Sequence, residues 1–238
     1  MIDNSERVYV KGGIDINHII TAEEGETYDL ELSKDLLKEN EKLAERNNTL
    51  LRKHGIKTID VMGSIGTGKT SLIGQLVEKL NKKYRIAAIA GDLTTTIDRD
   101  IIAKHGAEVV QINTGKECHL DSNLVRKALL QMNLDRIDLL IIENVGNLIC
   151  PTEFPLGSDK RMVVISVTEG PNIVVKHPHV FMEADIVVIN KMDLANIIGA
   201  DIHLLTEQIH AINPETIVIN ASCKDGTGIP ELIKALEL

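Results

Sequence analysis

Aromatic residues are scarce in this chain of 238 residues, which contains three Tyr, two Phe and no Trp. Because hydrophobic residues still make up 43% of the sequence, we expect a core built from Ile, Leu, Val and Ala. Positive charge is also in short supply, since 26 Lys and Arg face 35 Asp and Glu and leave a net charge of −9. No basic block is present, so non-specific nucleic-acid binding is not expected. An anionic ligand must therefore be held by local groups.

Cysteines are few, and signal sequences and long apolar runs are lacking. Three cysteines are an odd number for a disulfide-bonded scaffold, which favours a reducing compartment. Residues 1–6 do not show the charged-then-apolar pattern of a signal peptide, and no apolar run approaches the length of a membrane span. We therefore expect a cytoplasmic protein without membrane association. Its length suits an N-terminal arm over residues 1–32 and one domain over residues 33–238.

A phosphate-binding loop is the clearest signal that is present. Residues 63–70 read GSIGTGKT and fit the pattern G-x-x-x-x-G-K-[ST] of P-loop nucleotidases. In such a loop, backbone N–H groups and a helix N-terminus point at the phosphates. Lys69 would reach the β- and γ-phosphates, and the Thr70 hydroxyl would ligate Mg²⁺. The predicted nucleotide-contacting residues of this loop are Gly63, Ser64, Ile65, Gly66, Thr67, Gly68, Lys69, Thr70 and Ser71.

Strands and helices alternate after residue 56. Continuous apolar runs, such as residues 86–90, are typical of parallel strands buried on both faces. The predicted strands cover residues 57–62, 85–90, 108–112, 138–142, 162–167, 186–190 and 216–219, and the predicted helices cover 33–54, 69–82, 97–105, 121–132, 201–212 and 229–237. We expect an α/β fold with a doubly wound, mainly parallel seven-stranded sheet of the P-loop NTPase type. Its ligands should bind at the carboxyl ends of the strands.

The N-terminal arm carries less information. Residues 7–10 can form a short strand. Two interpretations of the arm stay open, since it could be mobile or could add to the edge of the main sheet.

A base-reading motif ends the strand predicted at residues 186–190. Residues 190–193 match N-K-x-D, the guanine signature of P-loop GTPases. The Asp193 carboxylate can accept hydrogen bonds from N1–H and the exocyclic amine of guanine. Adenine lacks this donor pair and would leave a buried charge unpaired. Asn190 can brace neighbouring loops, and the stem of Lys191 can lie over the base.

A second loop could also contact the base. Residues 222–224 follow the last predicted strand and stand where such proteins place a further base-contacting loop, although an ordinary turn explains them equally well. The residues concerned are Ser222, Cys223 and Lys224.

Acidic residues end two of the earlier strands. Asp92 follows the strand at 85–90, and Glu143 follows the strand at 138–142. A carboxylate at either position can bind Mg²⁺ or position the attacking water, although each acid alone could equally be a helix cap. The backbone N–H of Gly146 could contact the γ-phosphate. Asp98 and Asp100 lie in an Asp- and Thr-rich segment that we interpret as a switch.

Two cysteines and a histidine form the second chemical signal. Cys118 and His119 precede a predicted helix, and Cys150 closes the loop after Glu143. Thiolate and imidazole are ligands for zinc or nickel. Three donors are too few for a closed tetrahedral site, so a further ligand would have to come from water or from a second subunit. From spacing alone, two ordinary cysteines and a polar histidine remain the simpler interpretation.

Together these motifs resemble the HypB family, the nickel-incorporation GTPases of hydrogenase maturation. The resemblance covers roughly residues 33–238. It is carried by the phosphate loop, the Cys-His-Leu at 118–120, the ENVGNL at 143–148 with Cys150-Pro151, the Thr-Glu-Gly at 168–170 and the NKMD at 190–193. Members are GTPases of the nucleotide-dependent dimerising class. They help to deliver nickel to the large subunit of nickel–iron hydrogenase together with a companion nickel-binding protein.

The resemblance implies specific ligands and roles. It implies GTP and GDP, Mg²⁺, and Ni²⁺ or Zn²⁺ held at a GTP-dependent homodimer interface. The implied roles are catalysis for Lys69, Asp92 and Glu143, Mg²⁺ binding for Thr70, Asp92 and Glu143, guanine binding for Asn190 and Asp193, and transition-metal binding for Cys118, His119 and Cys150. One departure is that residues 1–32 contain no Cys and only His18, so the N-terminal nickel store of some members is not expected.

Other functions stay open on the sequence alone. A GTPase of urease-type nickel maturation, a metal-independent signalling or targeting GTPase, an ATP-dependent kinase and a nucleotide-regulated metal store could each use the same phosphate loop.

Overall fold

The computed structural model describes residues 19–21 and 34–238. The strands are β1 (Ile19–Thr21), β2 (Lys57–Met62), β3 (Ile86–Asp92), β4 (Glu108–Asn113), β5 (Leu139–Glu143), β6 (Lys160–Ser166), β7 (Ile186–Asn190) and β8 (Ile217–Asn220). The α-helices are α1 (Lys34–Lys53), α2 (Lys69–Leu80), α3 (Ile97–Lys104), α4 (Ser122–Leu129), α5 (Ile173–Lys176), α6 (Pro178–Met182), α7 (Ala195–Ile198), α8 (Ile202–Ile212) and α9 (Ile229–Ala235).

The described strands form one parallel sheet in the order β1-β4-β3-β5-β2-β6-β7-β8. Strands β5 and β7 are buried along their whole length, as their continuous apolar sequences require when helices cover both faces. Strands β5, β3 and β4 lie on one side of β2, and β6, β7 and β8 lie on the other. The carboxyl end of β2 is therefore the switch point where ligands of doubly wound sheets bind.

Helices cover both faces of this sheet with aliphatic side chains. On one face α2, α3 and α9 pack over Ile59, Val61 and the alternate residues of the neighbouring strands. The opposite face is covered by α1 and α4 at one end and by α5, α6 and α8 at the other. The core is aliphatic, as the composition predicts, with Phe154 and Phe181 as its buried phenylalanines.

The seven predicted strands and the six predicted helices are confirmed, with ends that shift by a few residues. An eighth strand, β1, pairs with β4 at the sheet edge, in keeping with one of the two interpretations of the arm. Three residues are too short to give a strand signal of their own. The strand predicted at residues 7–10 lies outside the described residues. Helices α5, α6 and α7 were not predicted, since each spans only four or five residues.

Buried asparagines of α1 hold the segment that carries Cys150. Asn40 Nδ2 donates to the Pro155 carbonyl at 2.9 Å, and Asn40 Oδ1 accepts from the Ser122 N–H at 2.8 Å. Asn47 Nδ2 donates to the Ser122 carbonyl at 2.9 Å. Both asparagine side chains are fully buried, so each bond satisfies a group that water cannot reach. Helix α1 thus ties the start of α4 to the loop after Cys150.

None of the helices in residues 34–238 combines the length and apolar character needed to cross a bilayer.

Candidate nucleotide and metal site

A cleft of about 540 Å³ opens at the carboxyl ends of the strands. The phosphate loop and the start of α2 form one wall, and the ends of β3 and β5 form the other. Its lining includes Ile65, Gly66, Gly68, Lys69, Thr70, Ser71, Asp92, Asp98, Cys118, Glu143, Asn144, Gly146 and Lys191. The structure therefore brings the predicted phosphate loop, both predicted acids and one predicted metal ligand to a single cleft.

Lys69 lies at the centre of the phosphate loop and bonds to the loop itself. Its Nζ donates to the carbonyls of Gly63 at 2.9 Å and Ser64 at 3.1 Å. The side chain is buried, and burial lowers the pKa of Lys69 despite the nearby carboxylates of Glu143 and Asp98. The buried ammonium is held by two neutral carbonyls. Hydrogen bonds to charged phosphate oxygens would stabilise it more strongly, because charge-assisted hydrogen bonds are stronger than neutral ones.

The base motif is joined to the phosphate loop through Asn190. Asn190 Nδ2 donates to the Thr67 carbonyl at 2.8 Å. Gly68 makes this contact possible, since a Cβ there would lie 2.4 Å from Asn190 Nδ2, and its φ of 96° also disfavours other residues. Asn190 therefore contacts the phosphate loop, one of the neighbouring loops that it was predicted to brace.

Residues 222–224 surround the remainder of the base motif. Asp193 Oδ1 accepts a hydrogen bond from Ser222 Oγ at 3.1 Å, and Asp193 Oδ2 lies 3.8 Å from Lys224 Nζ. Cys223 Sγ lies 3.5 Å from Asn190 Oδ1, and burial raises the pKa of its thiol. Residues 222–224 therefore belong to the site and are not an unrelated surface turn, because they contact the carboxylate predicted to read guanine. Lys191 takes a left-handed conformation with φ of 63°.

The Thr70 hydroxyl contacts two carboxyl groups, at 2.7 Å from Glu143 Oε1 and 2.9 Å from Asp98 Oδ1. One hydroxyl carries one proton, so both contacts are hydrogen bonds when Glu143 is protonated and donates to Thr70. Burial, followed by the nearby Asp98 carboxylate, raises the pKa of Glu143 to about 7, which makes that form accessible. The second oxygen, Glu143 Oε2, is buried and has no hydrogen-bond partner among the described residues.

Asp92 lies at the end of β3 and faces its own loop. Its Oδ1 accepts from the N–H groups of Thr94 at 3.0 Å and Thr95 at 3.2 Å, and its Oδ2 accepts from Thr95 Oγ1 at 2.8 Å. Burial acts to raise the pKa of Asp92, but the combined hydrogen bonds outweigh it and the net shift is downward. Asp92 is therefore an ionised carboxylate of the cleft wall.

Gly146 lies against the phosphate loop. A Cβ at this position would meet Ile65 Cγ1 at 2.4 Å and Ile65 N at 3.2 Å. An antiparallel bridge also joins Gly63 and Asn147. The loop that follows Glu143 therefore packs directly on the phosphate loop, and the γ-phosphate contact of Gly146 stays a prediction.

The structure places the two cysteines predicted as transition-metal ligands in contact, with the predicted histidine beside them. Cys118 Sγ lies 2.6 Å from Cys150 Sγ. Burial and the Cys118 thiol raise the pKa of Cys150 to about 11. His119 Nδ1 lies 4.0 Å from Cys118 Sγ, but the imidazole is only 1% exposed and stacks on Phe154 with ring centroids 4.0 Å apart. Residues 19–21 and 34–238 contain no group of three or more His, Cys, Asp or Glu side chains arranged to hold a metal.

Three residues of the site were not among the predicted site residues. Asp98 was interpreted only as part of a switch segment, yet it contacts Thr70 directly. Asn144 follows Glu143 and lines the cleft, and its amide bonds to the buried Asp60 of β2 at 3.4 Å. An acid inside an apolar strand next to a phosphate loop is the one signal that could have drawn attention to Asp60.

Sequence comparison decides which family these features belong to. Residues 57–220 match a family model described as the CobW/HypB/UreG nucleotide-binding domain. The chain belongs to the CobW/HypB/UreG family. The matched segment runs from the start of β2 to the end of β8. It includes the phosphate loop, both acids, the two close thiols and the N-K-x-D motif.

Relatives of this CobW/HypB/UreG member carry names from nickel-enzyme maturation. The probable hydrogenase maturation factor HypB of Methanocaldococcus jannaschii is 51% identical over 208 residues, which cover 87% of this chain and 94% of the relative. The crystal structure of HypB from Archaeoglobus fulgidus has a TM-score of 0.79 at 42% identity and covers 84% of this chain and 98% of that one. HypB from Helicobacter pylori, solved in complex with nickel, has a TM-score of 0.80 at 32% identity and covers 84% and 94%.

Proposed function

We propose that this protein is a GTPase that helps to deliver nickel during the maturation of nickel–iron hydrogenase. The observation that carries the proposal is the single cleft shared by the phosphate loop, the acids Asp92 and Glu143, and the Cys118 thiol. Nickel is the proposed cargo because the 51%-identical relative is named a probable hydrogenase maturation factor and a similar structure was solved in complex with nickel. The proposed partners are a companion nickel-binding maturation protein and the hydrogenase large subunit.

The proposed nucleotide is GTP, because the Asp193 carboxylate of the N-K-x-D motif is an acceptor suited to a base with two adjacent donors. Asp193 is oriented by Ser222 and Lys224, and Asn190 ties this motif to the phosphate loop. Lys69 would exchange its bonds to loop carbonyls for bonds to phosphate oxygens. In the hydrolysis, a water oxygen bonds to the γ-phosphorus and the bond from that phosphorus to the bridging oxygen breaks, giving GDP and phosphate.

The acid cluster fits Mg²⁺, which prefers oxygen ligands. Glu143 Oε2 is buried and has no hydrogen-bond partner in the described part of the chain, so a cation would satisfy an otherwise costly group. Thr70, Asp92 and Glu143 would hold the ion, which supplies charge neutralisation of the phosphates when bound. Asp98, which contacts Thr70, would move with α3 when Thr70 takes up this role.

Nickel or zinc is the proposed cargo of the thiol pair. Cys118 and Cys150 already lie together, and thiolates are soft ligands suited to these metals. His119 Nδ1 lies 4.0 Å from Cys118 Sγ, a separation that one ion bound to both atoms can span, while the ring stacks on Phe154. Since one chain offers so few donors, we propose that a GTP-dependent homodimer brings two thiol pairs to a shared site.

Metal titration tests the proposal. Nickel and zinc stoichiometries are measured for the wild type, Cys118→Ser, Cys150→Ser and Cys223→Ser, each with GDP and with a non-hydrolysable GTP analogue. The first two variants should lose the metal site. Cys223→Ser should keep it, because Cys223 lies at the base motif. Unchanged stoichiometry in the first two variants would instead favour a metal-independent GTPase.

Hydrolysis and assembly are measured alongside metal binding. The wild type should release phosphate from GTP and not from ATP, and light scattering should detect dimers with the GTP analogue but not with GDP. Equal hydrolysis of ATP would overturn the guanine assignment, and a monomer in both nucleotides would overturn the shared site.

Urease maturation is a second candidate destination for the nickel. A relative from Helicobacter pylori that is 35% identical and covers 83% of this chain is named a hydrogenase/urease maturation factor. Capture of a hydrogenase large subunit, and not of a urease subunit, from cells that contain both enzymes would favour the first proposal.

A further inference from the structure

The cysteine–histidine segment is anchored to the nucleotide cleft by the residue that follows it. Leu120 comes directly after Cys118 and His119, and its backbone N–H donates to Asn144 Oδ1 at 3.1 Å. Asn144 is the residue after Glu143. Leu120 and Asn144 are both buried, so water cannot replace this bond. The position of the thiol segment therefore depends on the end of β5.

The Leu120 side chain provides a second anchor. A Cβ on Gly91 would lie 2.8 Å from Leu120 Cδ1 and Cγ and 3.0 Å from the Glu143 carbonyl oxygen. Leu120 thus fills a space that exists only because residue 91 has no side chain. This space lies between the ends of β3 and β5, beside the two acids Asp92 and Glu143. Any shift of those strand ends must move Leu120.

Asp60 accepts from the NH₂ end of the Asn144 amide and so helps to keep the oxygen end towards Leu120. Asn144 Nδ2 lies 3.4 Å from Asp60 Oδ1, and Asn144 Oδ1 also accepts the Val145 N–H at 3.1 Å. A carboxylate offers only acceptors, so Asp60 attracts the NH₂ end and leaves the oxygen for Leu120. Both side chains are almost fully buried, at 0% exposure for Asp60 and 1% for Asn144. Asp60 stands on β2, three residues before the phosphate loop.

We propose that Asn144 and Asp60 are positioning residues that couple the nucleotide site to the Cys118 thiol. The proposal rests on the proposed function, because it assigns residues to the link between GTP and metal. Glu143 contacts Thr70, a contact that changes when Thr70 and Glu143 take up phosphate-bound Mg²⁺. The adjacent Asn144 passes this change to Leu120 and so to Cys118, which lines the same cleft.

Hydrogen exchange tests the anchor itself and needs neither metal nor hydrolysis. In metal-free, GDP-bound protein, the Leu120 amide should exchange about tenfold faster in Asn144→Ala than in the wild type. Asn133→Ala is the matched control, since Asn133 is exposed and should leave this amide unchanged. Asp60→Asn should keep the protection, because an amide oxygen can still accept from Asn144. Wild-type protection in Asn144→Ala would overturn the anchor. Wild-type protection in Asp60→Leu, which offers Asn144 Nδ2 no acceptor, would overturn the orienting role of Asp60.

A linkage experiment tests the coupling. The affinity for Zn²⁺ is measured with GDP and with a non-hydrolysable GTP analogue, and the ratio of the two affinities is the coupling factor. The wild type should give a ratio of about tenfold or more, Asn144→Ala a ratio near one, and Asp60→Asn and Asn133→Ala ratios like the wild type. If Asn144→Ala does not fold, Asn144→Ser replaces it with the same expectation.

The outcomes separate this inference from the proposed function. A wild-type ratio of one would overturn the GTP-metal coupling of the proposed function, and this inference with it. A large ratio that persists in Asn144→Ala would overturn only the role of Asn144, and the proposed function would stand.

Discussion

Replacing Asp60 by Asn should remove a pH-dependent loss of stability. Asp60 is fully buried, and burial raises its pKa from 3.8 to about 6 against the opposing effects of Arg161 and the Asn144 hydrogen bond. The folded protein therefore favours the protonated carboxyl more than the unfolded chain does. A difference of about two pKa units corresponds to about 3 kcal/mol of stability.

The direction of the effect follows from proton linkage. Below about pH 4 the group is protonated in both states and costs nothing, whereas the cost grows as the pH rises towards about 6 and is complete above it. Asparagine resembles the protonated acid at every pH. The variant should therefore match the wild type near pH 4 and exceed its stability by about 3 kcal/mol near pH 7.

Urea denaturation of both proteins across this pH range, with a chelator present, measures the difference in unfolding free energy. Asp138→Asn is a control with the opposite sign, because the hydrogen bonds from Arg85 lower the pKa of Asp138 to about 2. That variant should be less stable than the wild type at neutral pH, and the deficit should shrink as the pH falls through about 4 towards 2. If the difference in unfolding free energy between the wild type and Asp60→Asn is the same near pH 4 and near pH 7, the buried-acid argument is wrong.

Three further substitutions have defined outcomes. Gly68→Ala should weaken binding of a fluorescent GTP analogue by at least about tenfold, because its Cβ would lie 2.4 Å from Asn190 Nδ2. Asp193→Asn should weaken the binding of GTP by about tenfold to a hundredfold, because the charged acceptor is lost. The same variant should bind xanthosine triphosphate more tightly than the wild type does in competition assays. Asn47→Ala should lower the unfolding free energy by about 1 to 3 kcal/mol in urea, since the buried hydrogen bond from Asn47 Nδ2 to the Ser122 carbonyl is lost.

Each of these has a result that would contradict it. Gly66→Ala puts a side chain on a backbone with positive φ, as Gly68→Ala does, but a Cβ at residue 66 meets nothing within 4 Å. Equal losses of GTP-analogue affinity in the two variants would therefore reject the steric argument. An unchanged preference for GTP in Asp193→Asn would reject the base assignment. For Asn47→Ala, a stability like that of the exposed-site variant Asn133→Ala would reject the buried hydrogen bond.

The features that could be predicted from the sequence are those that short segments carry by themselves. The loop at residues 63–70 and the motif at 190–193 can each be recognised within eight and four residues. Parallel topology then places them at the same sheet edge, because the carboxyl ends of parallel strands meet there. The acids at the ends of β3 and β5 reach the cleft for the same reason.

The contacts that could not be predicted depend on tertiary packing. The ring of His119 stacks on Phe154, which is 35 positions further along the chain, a contact that the spacing of the histidine and the cysteines does not reveal. The approach of Asp98 to Thr70 depends on where α3 packs. The pairing of Asp60 with Asn144 joins residues 84 positions apart. None of these distances is encoded by local periodicity.

Hydrogen bonds and connecting backbone segments together link the base motif to the thiol segment across the cleft. Asp193 is oriented by Ser222. Asn190 bonds to the phosphate loop, and that loop follows the strand of Asp60. Beyond Asp60, the contacts of Asn144 and Leu120 lead to the Cys118 segment. The elements involved all end at the carboxyl edge of the sheet, where the proposed coupling between the two sites would act. Any influence of GTP on metal affinity carried by these contacts must be matched by an equal influence of metal on GTP affinity.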